Sequence, residues 1–422
     1  MKPVAQPLLP AAPRLVPALG AASCTEQRIE TSVDSAGKRA CAAGFGIGLT
    51  MLLAAALLSP SRAEDTPQPQ WKSQYFYDES KTALVLEDLA FPSAQRGLAV
   101  GTIVEGSHRR PAMVLTSDGG AHWELSKPEE LPVSVFFLNE NLGWMVTENG
   151  LWKTIETGRK WTKVGKFPKG PILRVYFIDA NNGFAVGEKK TILETHDGGA
   201  KWSQVATAAA PPGEAAYSAY TWVAFATPQY GLILGFNQPP RRWGPDLPDW
   251  MDPQSASTYR DVPHLNYSLE TRDGGKTWRS SSASLFGDTT KVQFLKDGQG
   301  VGLVEYSQYF RMASEVYAID WKTGKSHSIY KDAKFGVTDV CRLSDGTTYL
   351  AGILAPGRMR NLVPGKVQVL VSHDDQNWQT MPVDYRATAN RVVLAAPDGQ
   401  NVWMATDSGM ILKLTPPPVP AQ

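Results

Sequence analysis

Cysteine is nearly absent from this chain, which has three in 422 residues: Cys24, Cys41 and Cys341. Excess charge of either sign is missing too. Forty-two Lys and Arg face 41 Asp and Glu, a formal net of +1, so bulk electrostatics singles out neither nucleic acid nor a membrane surface as partner. Only six histidines occur, none in a His-x-x-x-His pair, and no Cys-x-x-Cys is present, which removes the usual metal-site spacings. No Gly-rich phosphate loop precedes a helix, and no Ser/His/Asp order is apparent. What the chain has instead is 37 Gly, 31 Pro and 13 Trp, a composition for many turns and short strands rather than long helices.

The one extended apolar run, from about Ala42 to Leu58, follows Lys38 and Arg39 and ends in Ser59-Pro60-Ser61-Arg62-Ala63. A basic segment, an apolar segment and a small-x-small site read as an export signal, with an uncleaved anchor as the alternative. No paired arginines precede the run and no Cys follows it, which favours the general secretory route over the twin-arginine one and speaks against a lipid anchor. Taking residues 1–63 as a removed leader and 64–70 as a linker leaves 36 basic against 38 acidic residues. Cys341 then stands alone. It cannot form an internal disulfide, and in the alternating string Val340-Cys341-Arg342-Leu343 it reads as a buried structural thiol. The expected location is periplasmic or extracellular.

One stretch recurs along the remaining chain. Thr116-Ser117-Asp118-Gly119-Gly120-Ala121-His122-Trp123, Thr195-His196-Asp197-Gly198-Gly199-Ala200-Lys201-Trp202 and Thr271-Arg272-Asp273-Gly274-Gly275-Lys276-Thr277-Trp278 share one order. Glu156 and Trp161 keep the spacing with Glu for Asp, and Asp374 with Trp378 form a copy one residue short. Each reads as a hairpin turn: the Asp accepts hydrogen bonds from turn N–H groups, Gly takes positive φ, and Trp offers an apolar face and an indole N–H that needs a partner. A ring of carboxylates sharing a metal fails on distance, since there is one per outer hairpin.

Around these turns the chain divides into seven units of about four short strands at a period of roughly 40 residues, the pattern of propeller blades. A phenylalanine (Phe91, Phe137, Phe177, Phe225) precedes a Gly-rich strand in four of them, and Gly-x-Ala-Val-Gly appears at Gly97–Gly101 and Gly183–Gly187. The fifth unit has a degenerate turn, with His327 at the Trp position by spacing from Gly324. The seventh, ending near Leu414, has three strands, and an unpaired strand begins at Trp71. Sandwich readings leave these complementary ends unexplained. The expectation is an all-β protein, a seven-bladed β-propeller over residues 71–414 whose last blade is completed by the N-terminal strand, with a Pro-rich tail at 415–422.

Ser/Thr-x-Asp-x-Gly-x-x-Trp is similar to the Asp-box, or bacterial neuraminidase (BNR) repeat. With the Phe…Gly-x-Ala-Val-Gly string before it, residues 71–414 resemble the photosystem II stability/assembly factor family. That resemblance implies an exported seven-bladed propeller without catalysis or cofactor that assists assembly of a membrane complex. The chain departs from the pattern in blades 5 and 7 and in a long insertion in blade 4.

The long connections join second to third strands and so should open on one face, opposite the Asp-box turns: Thr102–Pro111, Asn237–Asn266, Glu305–Ser314 and Leu354–Lys366. They hold Arg109, Arg110, Arg241, Arg242, Trp243, Trp250, Arg260, Tyr309, Arg311, Arg358 and Arg360, residue types enriched where proteins bind one another. Clustered Arg also suits carboxylate or phosphate groups. The expected partner is a membrane or envelope protein complex bound by a monomer, with no nucleic acid. The alternative is a sialidase-like glycoside hydrolase on the same face, drawing on Arg110, Arg311 or Arg358, Tyr309, Glu305 and Asp246, although no Arg-Ile-Pro string is present.

Overall fold

A computed structural model describes residues 68–239, 262–306, 312–354 and 364–417. Seven antiparallel sheets follow one another along the chain: six have four strands, and the sixth adds a short fifth strand. The innermost strands of blades 1 to 7 are Ala83–Ala90, Pro132–Phe137, Ile172–Phe177, Ser218–Phe225, Gly287–Phe294, Phe335–Arg342 and Val392–Asp398. They neighbour one another around a central channel, with blade 7 against blade 1. The fold is the expected seven-bladed β-propeller.

Burial explains the sequence pattern strand by strand. A second strand such as Gly183–Gly187 lies between two other strands and between two neighbouring blades, so all five residues are buried and it reads as an unbroken apolar run. The outermost strand of blade 4, Arg279–Leu285, faces water on one side, and from Ser282 on it alternates exposed Ser282 and Ser284 with half-buried Ala283 and Leu285.

Closure works as expected. The strand Gln70–Phe76 lies antiparallel to Met410–Thr415, and the seventh sheet runs in the order N-terminal strand, third, second, first. Trp71 is fully buried in the core shared by blades 6 and 7, beside Val369, Met404 and Leu412. Its N–H donates to the Pro382 carbonyl at 2.8 Å and its carbonyl accepts from Asp384 N–H at 3.0 Å, so the strand is gripped on both edges.

Two expectations need correction. Thr102–Pro111 is not a loop: it prolongs the second and third strands of blade 1, Gly97–Glu105 and His108–Thr116, into a ladder down to the pair Glu105–His108. The two-residue turn is Gly106-Ser107, with Gly106 at φ 58°, a turn whose twist matches the flanking strands. His327 does not replace tryptophan in blade 5, for it is exposed on the outer strand. Trp321 fills the role, stacked on Tyr230 of blade 4 at 5.1 Å and donating its indole N–H to the Leu295 carbonyl at 3.0 Å.

Replacing Trp71 by Ala should cost about 3–5 kcal/mol, a large part of the stability of such a domain. Denaturant unfolding checks this; a loss under about 1 kcal/mol would mean the ring closes without this anchor.

Candidate functional site

The Asp-box residues do what local chemistry requires. The Thr116 hydroxyl donates to Asp118 at 3.0 Å and accepts the Gly120 N–H at 2.9 Å, while Asp118 accepts the His122 N–H at 2.9 Å. Thr195 with Asp197 and Thr271 with Asp273 repeat these bonds. Asp374 accepts the Gln376 and Asn377 N–H groups. Glu156 is one methylene longer. Its backbone N–H bonds Thr154, and Thr157 rather than glycine takes the left-handed φ of 57°.

The boxes also latch blades together. A Cβ on Gly275, which sits at φ 91°, would lie 2.1 Å from the Phe184 ring of blade 3. Trp278 meets that ring edge-on at 5.3 Å, and Trp123 meets Trp403 of blade 7 at 5.7 Å. The indole N–H groups of Trp123, Trp161, Trp202 and Trp278 find no hydrogen-bond partner. Trp378 alone of the five donates, to the Ile329 carbonyl at 3.2 Å. The four Asp carboxylates are used by their own turns, so this face carries architecture. Cys341 is buried likewise, its thiol pushed up to about 11 by desolvation, as a structural residue should be.

Around the channel lies a ring of polar side chains that the repeat motifs did not disclose. The innermost strand of each of the first six blades is broken by a register shift, after which come Asp88, Ser134, Arg174, Trp222, Lys291 and Asp339. Each reaches into the following blade. Asp88 accepts the Val135 N–H at 3.0 Å and Ser134 donates to the Leu173 carbonyl at 2.8 Å. The Arg174 guanidinium lies 4.3 Å from the Trp222 ring centre, and Trp222 donates to the Val292 carbonyl at 2.8 Å. Lys291 pairs with Asp339 at 2.5 Å, and Asp339 accepts the Leu394 N–H at 2.7 Å. Arg174 also reaches back across blade 2 to Asp88 at 3.5 Å.

On the face opposite the boxes, polar side-chain pairs frame the channel mouth. Arg391 of blade 7 spans blade 6 to meet Glu305 of blade 5 at 3.5 Å, and His264 meets Asp288 at 2.5 Å. Burial raises the Glu305 and Glu87 carboxyls above the ordinary range, although Arg391 and Arg109 pull the other way. Of the eleven expected binding residues only Arg109 and Arg110 fall among the described residues. Both are exposed on the blade 1 hairpin, and Arg110 is paired with Glu105 at 3.7 Å. Arg241, Arg242, Trp243, Trp250, Arg260, Tyr309, Arg311, Arg358 and Arg360 lie outside the described residues, as does Asp246. Glu305, expected on a loop, lies within a strand of blade 5, Gln299–Tyr306, paired with Ser314.

Exposed apolar side chains divide unequally between the faces. Phe76, Tyr217, Val262, Phe286, Leu354 and Tyr385 all sit at strand ends or connections on the loop face, with Tyr385 at 84% exposure. Of the other large exposed apolar residues, Ile155 lies in a box and Leu125 on an outermost strand. The six spread from blade 3 round to blade 7, whereas the charged hairpin of Arg109 and Arg110 occupies blade 1. These residues have no signal in the sequence, because a single apolar residue beside a turn carries no periodicity.

A family model described as "Photosynthesis system II assembly factor YCF48" matches residues 168–238, which hold blade 3 and the first two strands of blade 4. Among solved structures, YCF48 from Cyanidioschyzon merolae superposes with a TM-score of 0.52 at 16% identity, over 82% of this chain and 98% of that one. A structure titled "YCF48 bound to D1 peptide" gives 0.52 and 16% over 81% and 98%. The extracellular domain of the putative one component system BT4673 from B. thetaiotaomicron gives 0.51 at 11%, over 81% and 39%. No curated protein matches the chain in sequence. The chain is thus similar to YCF48 propellers, in sequence over 168–238 and in fold around the ring.

Replacing Asp88 by Ala leaves the Val135 N–H unmet and Arg174 without its carboxylate, and should cost about 3 kcal/mol in denaturant unfolding; a loss below about 1 kcal/mol would make the ring of side chains incidental. Acid should act through the boxes. The N–H and ring of His122 hold the Asp118 carboxyl at about 2, below its ordinary 3.8, and Asp197 and Asp273 are lowered too. A depressed folded-state value stabilises above the unfolded value and is lost as pH falls through the folded one, so stability should drop between the 3.8 and about 2 of Asp118. The triple variant Asp118→Asn, Asp197→Asn, Asp273→Asn should flatten that drop in unfolding midpoints measured across the window.

Proposed function

We propose that this protein is an exported, non-enzymatic scaffold that binds a membrane or envelope protein complex through its loop face and assists that complex's assembly or stability. The observation that carries the reading is the gathering of exposed apolar side chains on the face that also holds the channel mouth and the Arg109/Arg110 hairpin. Exposed aromatics and arginines on one face suit a protein partner, whose apolar contacts supply affinity and whose charges supply register. The likeness to a propeller titled as bound to a D1 peptide supports the same style of function. No helix among the described residues is long and apolar enough to cross a membrane. Attachment to a membrane would therefore come through the partner or through the leader, residues 1–63.

The glycoside hydrolase reading has less support. Glu305 is engaged by Arg391, and Arg110 by Glu105 of its own hairpin, so neither is poised to grip substrate.

The test is capture of the partner from envelope extracts of the native host. Replacing Phe76, Leu354 and Tyr385 by Ser should abolish capture with the melting temperature unchanged, and so should changing Arg241, Arg242, Arg358 and Arg360 to Glu. Undiminished capture by both variants would overturn the binding face, and turnover of any sialoside or related glycoside would overturn the non-enzymatic reading. N-terminal sequencing of the mature protein checks the leader, with a start between Ala63 and Gln70 expected.

A further inference from the structure

Five blades end their innermost strand on an aromatic ring packed against a tryptophan: Phe91 on Trp123, Phe137 on Trp161, Phe177 on Trp202, Phe225 on Trp278 and Phe294 on Trp321, with centres 6.2 to 6.5 Å apart. Blade 7 keeps an apolar residue there, Ala396, packed on its core. Blade 6 does not. Counting three residues from Asp339, as Phe91 lies three from Asp88, the equivalent position is Arg342.

The Arg342 side chain is only 9% exposed. One terminal nitrogen donates to Asp375 at 2.7 Å, but Nε and Nη1 are buried with no hydrogen-bond partner. Asp375 itself stands in the degenerate box at a left-handed φ of 60°. From blade 5, the Gln293 amide bonds both the N–H and the carbonyl of Arg342, at 2.8 and 2.9 Å. Trp378, with no phenylalanine of its own blade to pack on, turns to Tyr330 of blade 5 at 5.3 Å. The rest of the joint is apolar, with Leu303, Val316, Phe335 and Val340 in one buried cluster.

We propose that the box-face end of the joint between blades 5 and 6 is a hydratable seam, the part of the ring that opens first. Parting another box-face joint exposes apolar surface, most often paired aromatic rings, and lets water reach neutral indole donors at most. Parting this one also exposes the Trp378–Tyr330 pair, but it lets water reach two unmet donors of a charged guanidinium, and the pair of Arg342 with Asp375 is well solvated when open. Local opening free energies within one domain range from near zero to the global value, and the seam belongs at the low end. The apolar cluster acts as the hinge. Leu354 and Tyr385, on the loop-face side of blade 6, move with the blade as the seam parts, which gives the binding face one compliant sector. That consequence alone rests on the function proposed above.

Amide hydrogen exchange of the free, full-length mature protein tests the seam without any partner, so its failure is distinguishable from failure of the binding reading. Amides of Phe335–Arg342 and Gly365–Ser372 in blade 6 should exchange at least about tenfold faster than those of Ile172–Phe177 and Thr191–Thr195 in blade 3. Thr348 lies opposite Arg342, where Phe137, Phe177, Phe225 and Phe294 each face a glycine; the variant Arg342→Phe, Asp375→Gly, Thr348→Gly therefore restores the aromatic pattern and should remove most of the difference. Should it fail to fold, Gln293→Leu provides the second measurement, expected to speed exchange in blade 6 by about tenfold while blade 3 is unchanged. Equal protection of the two blades in the natural protein would overturn the proposal. So would a folded triple variant that exchanges as the natural protein does, or a Gln293→Leu variant with no local effect.

Discussion

A sheet whose two faces are both apolar has no stable existence alone. Every blade of this protein depends on its two neighbours to bury what its second and third strands present, and only a closed ring leaves none exposed. That constraint reaches down to single residues. Tryptophan and glycine meet at the box hairpins because one must lie against the preceding blade and the other must let it approach. Polar side chains girdle the channel because there the innermost strands have an edge but no further strand to pair with. Asp88, Ser134 and Asp339 supply donors or acceptors to the adjoining blade where a sheet would have supplied a ladder.

Meeting the closure requirement on one side frees the other. The box hairpins fix the phase of each blade with short, self-satisfied turns, whereas the opposite ends of the strands are under no such obligation. There the chain lengthens a hairpin, as at Gly106-Ser107, or leaves apolar residues such as Tyr385 in water. Tryptophan latches join blade 7 to blade 1 and run on through blade 4, whereas blade 5 carries Trp321 before its turn, blade 6 a box one residue short, and blade 7 no box hairpin. Four of the six exposed apolar side chains of the loop face, Phe76, Phe286, Leu354 and Tyr385, belong to that irregular sector or border it. Divergence from the repeat and exposure of apolar side chains coincide on the same side of the ring.

Much of the fold was legible in the sequence because it is written as repetition: spacing from Asp to Trp gives the blade count, and the spare strand at Trp71 gives the closure. What escaped had no repeat to carry it. Trp321 carries no box signal because it precedes its turn, where box tryptophans follow theirs. The blade 1 hairpin has the length of a loop, and only the Gly-x turn and the β-branched Thr102-Ile103-Val104 run mark it as paired strands. The channel girdle uses five chemistries over six blades (carboxylate in blades 1 and 6, then hydroxyl, guanidinium, indole and ammonium), so no motif search unites it. One signal was available: the last glycine of Gly97–Gly101 faces the break in the inner strand, where a Cβ would lie 2.0 Å from the Val85 carbonyl. A glycine in the middle of an otherwise buried strand marks such a close approach.

The pairing of Gln70 with Thr415 has a thermodynamic side. The Thr415 hydroxyl bonds the Gln70 carbonyl across a sequence separation of 345 residues. Bringing together the ends of a flexible chain of that length costs on the order of 5 kcal/mol in entropy, and the seven-residue strand around Trp71 must offset it. The same adjacency means the two ends of the folded domain already stand side by side, on the box face. A short covalent join there would remove most of that entropic cost without disturbing the loop face, and a new break at another box-face turn would relocate the clasp. The domain is in that sense circular, and the position of its ends is a matter of where the gene happens to open the ring.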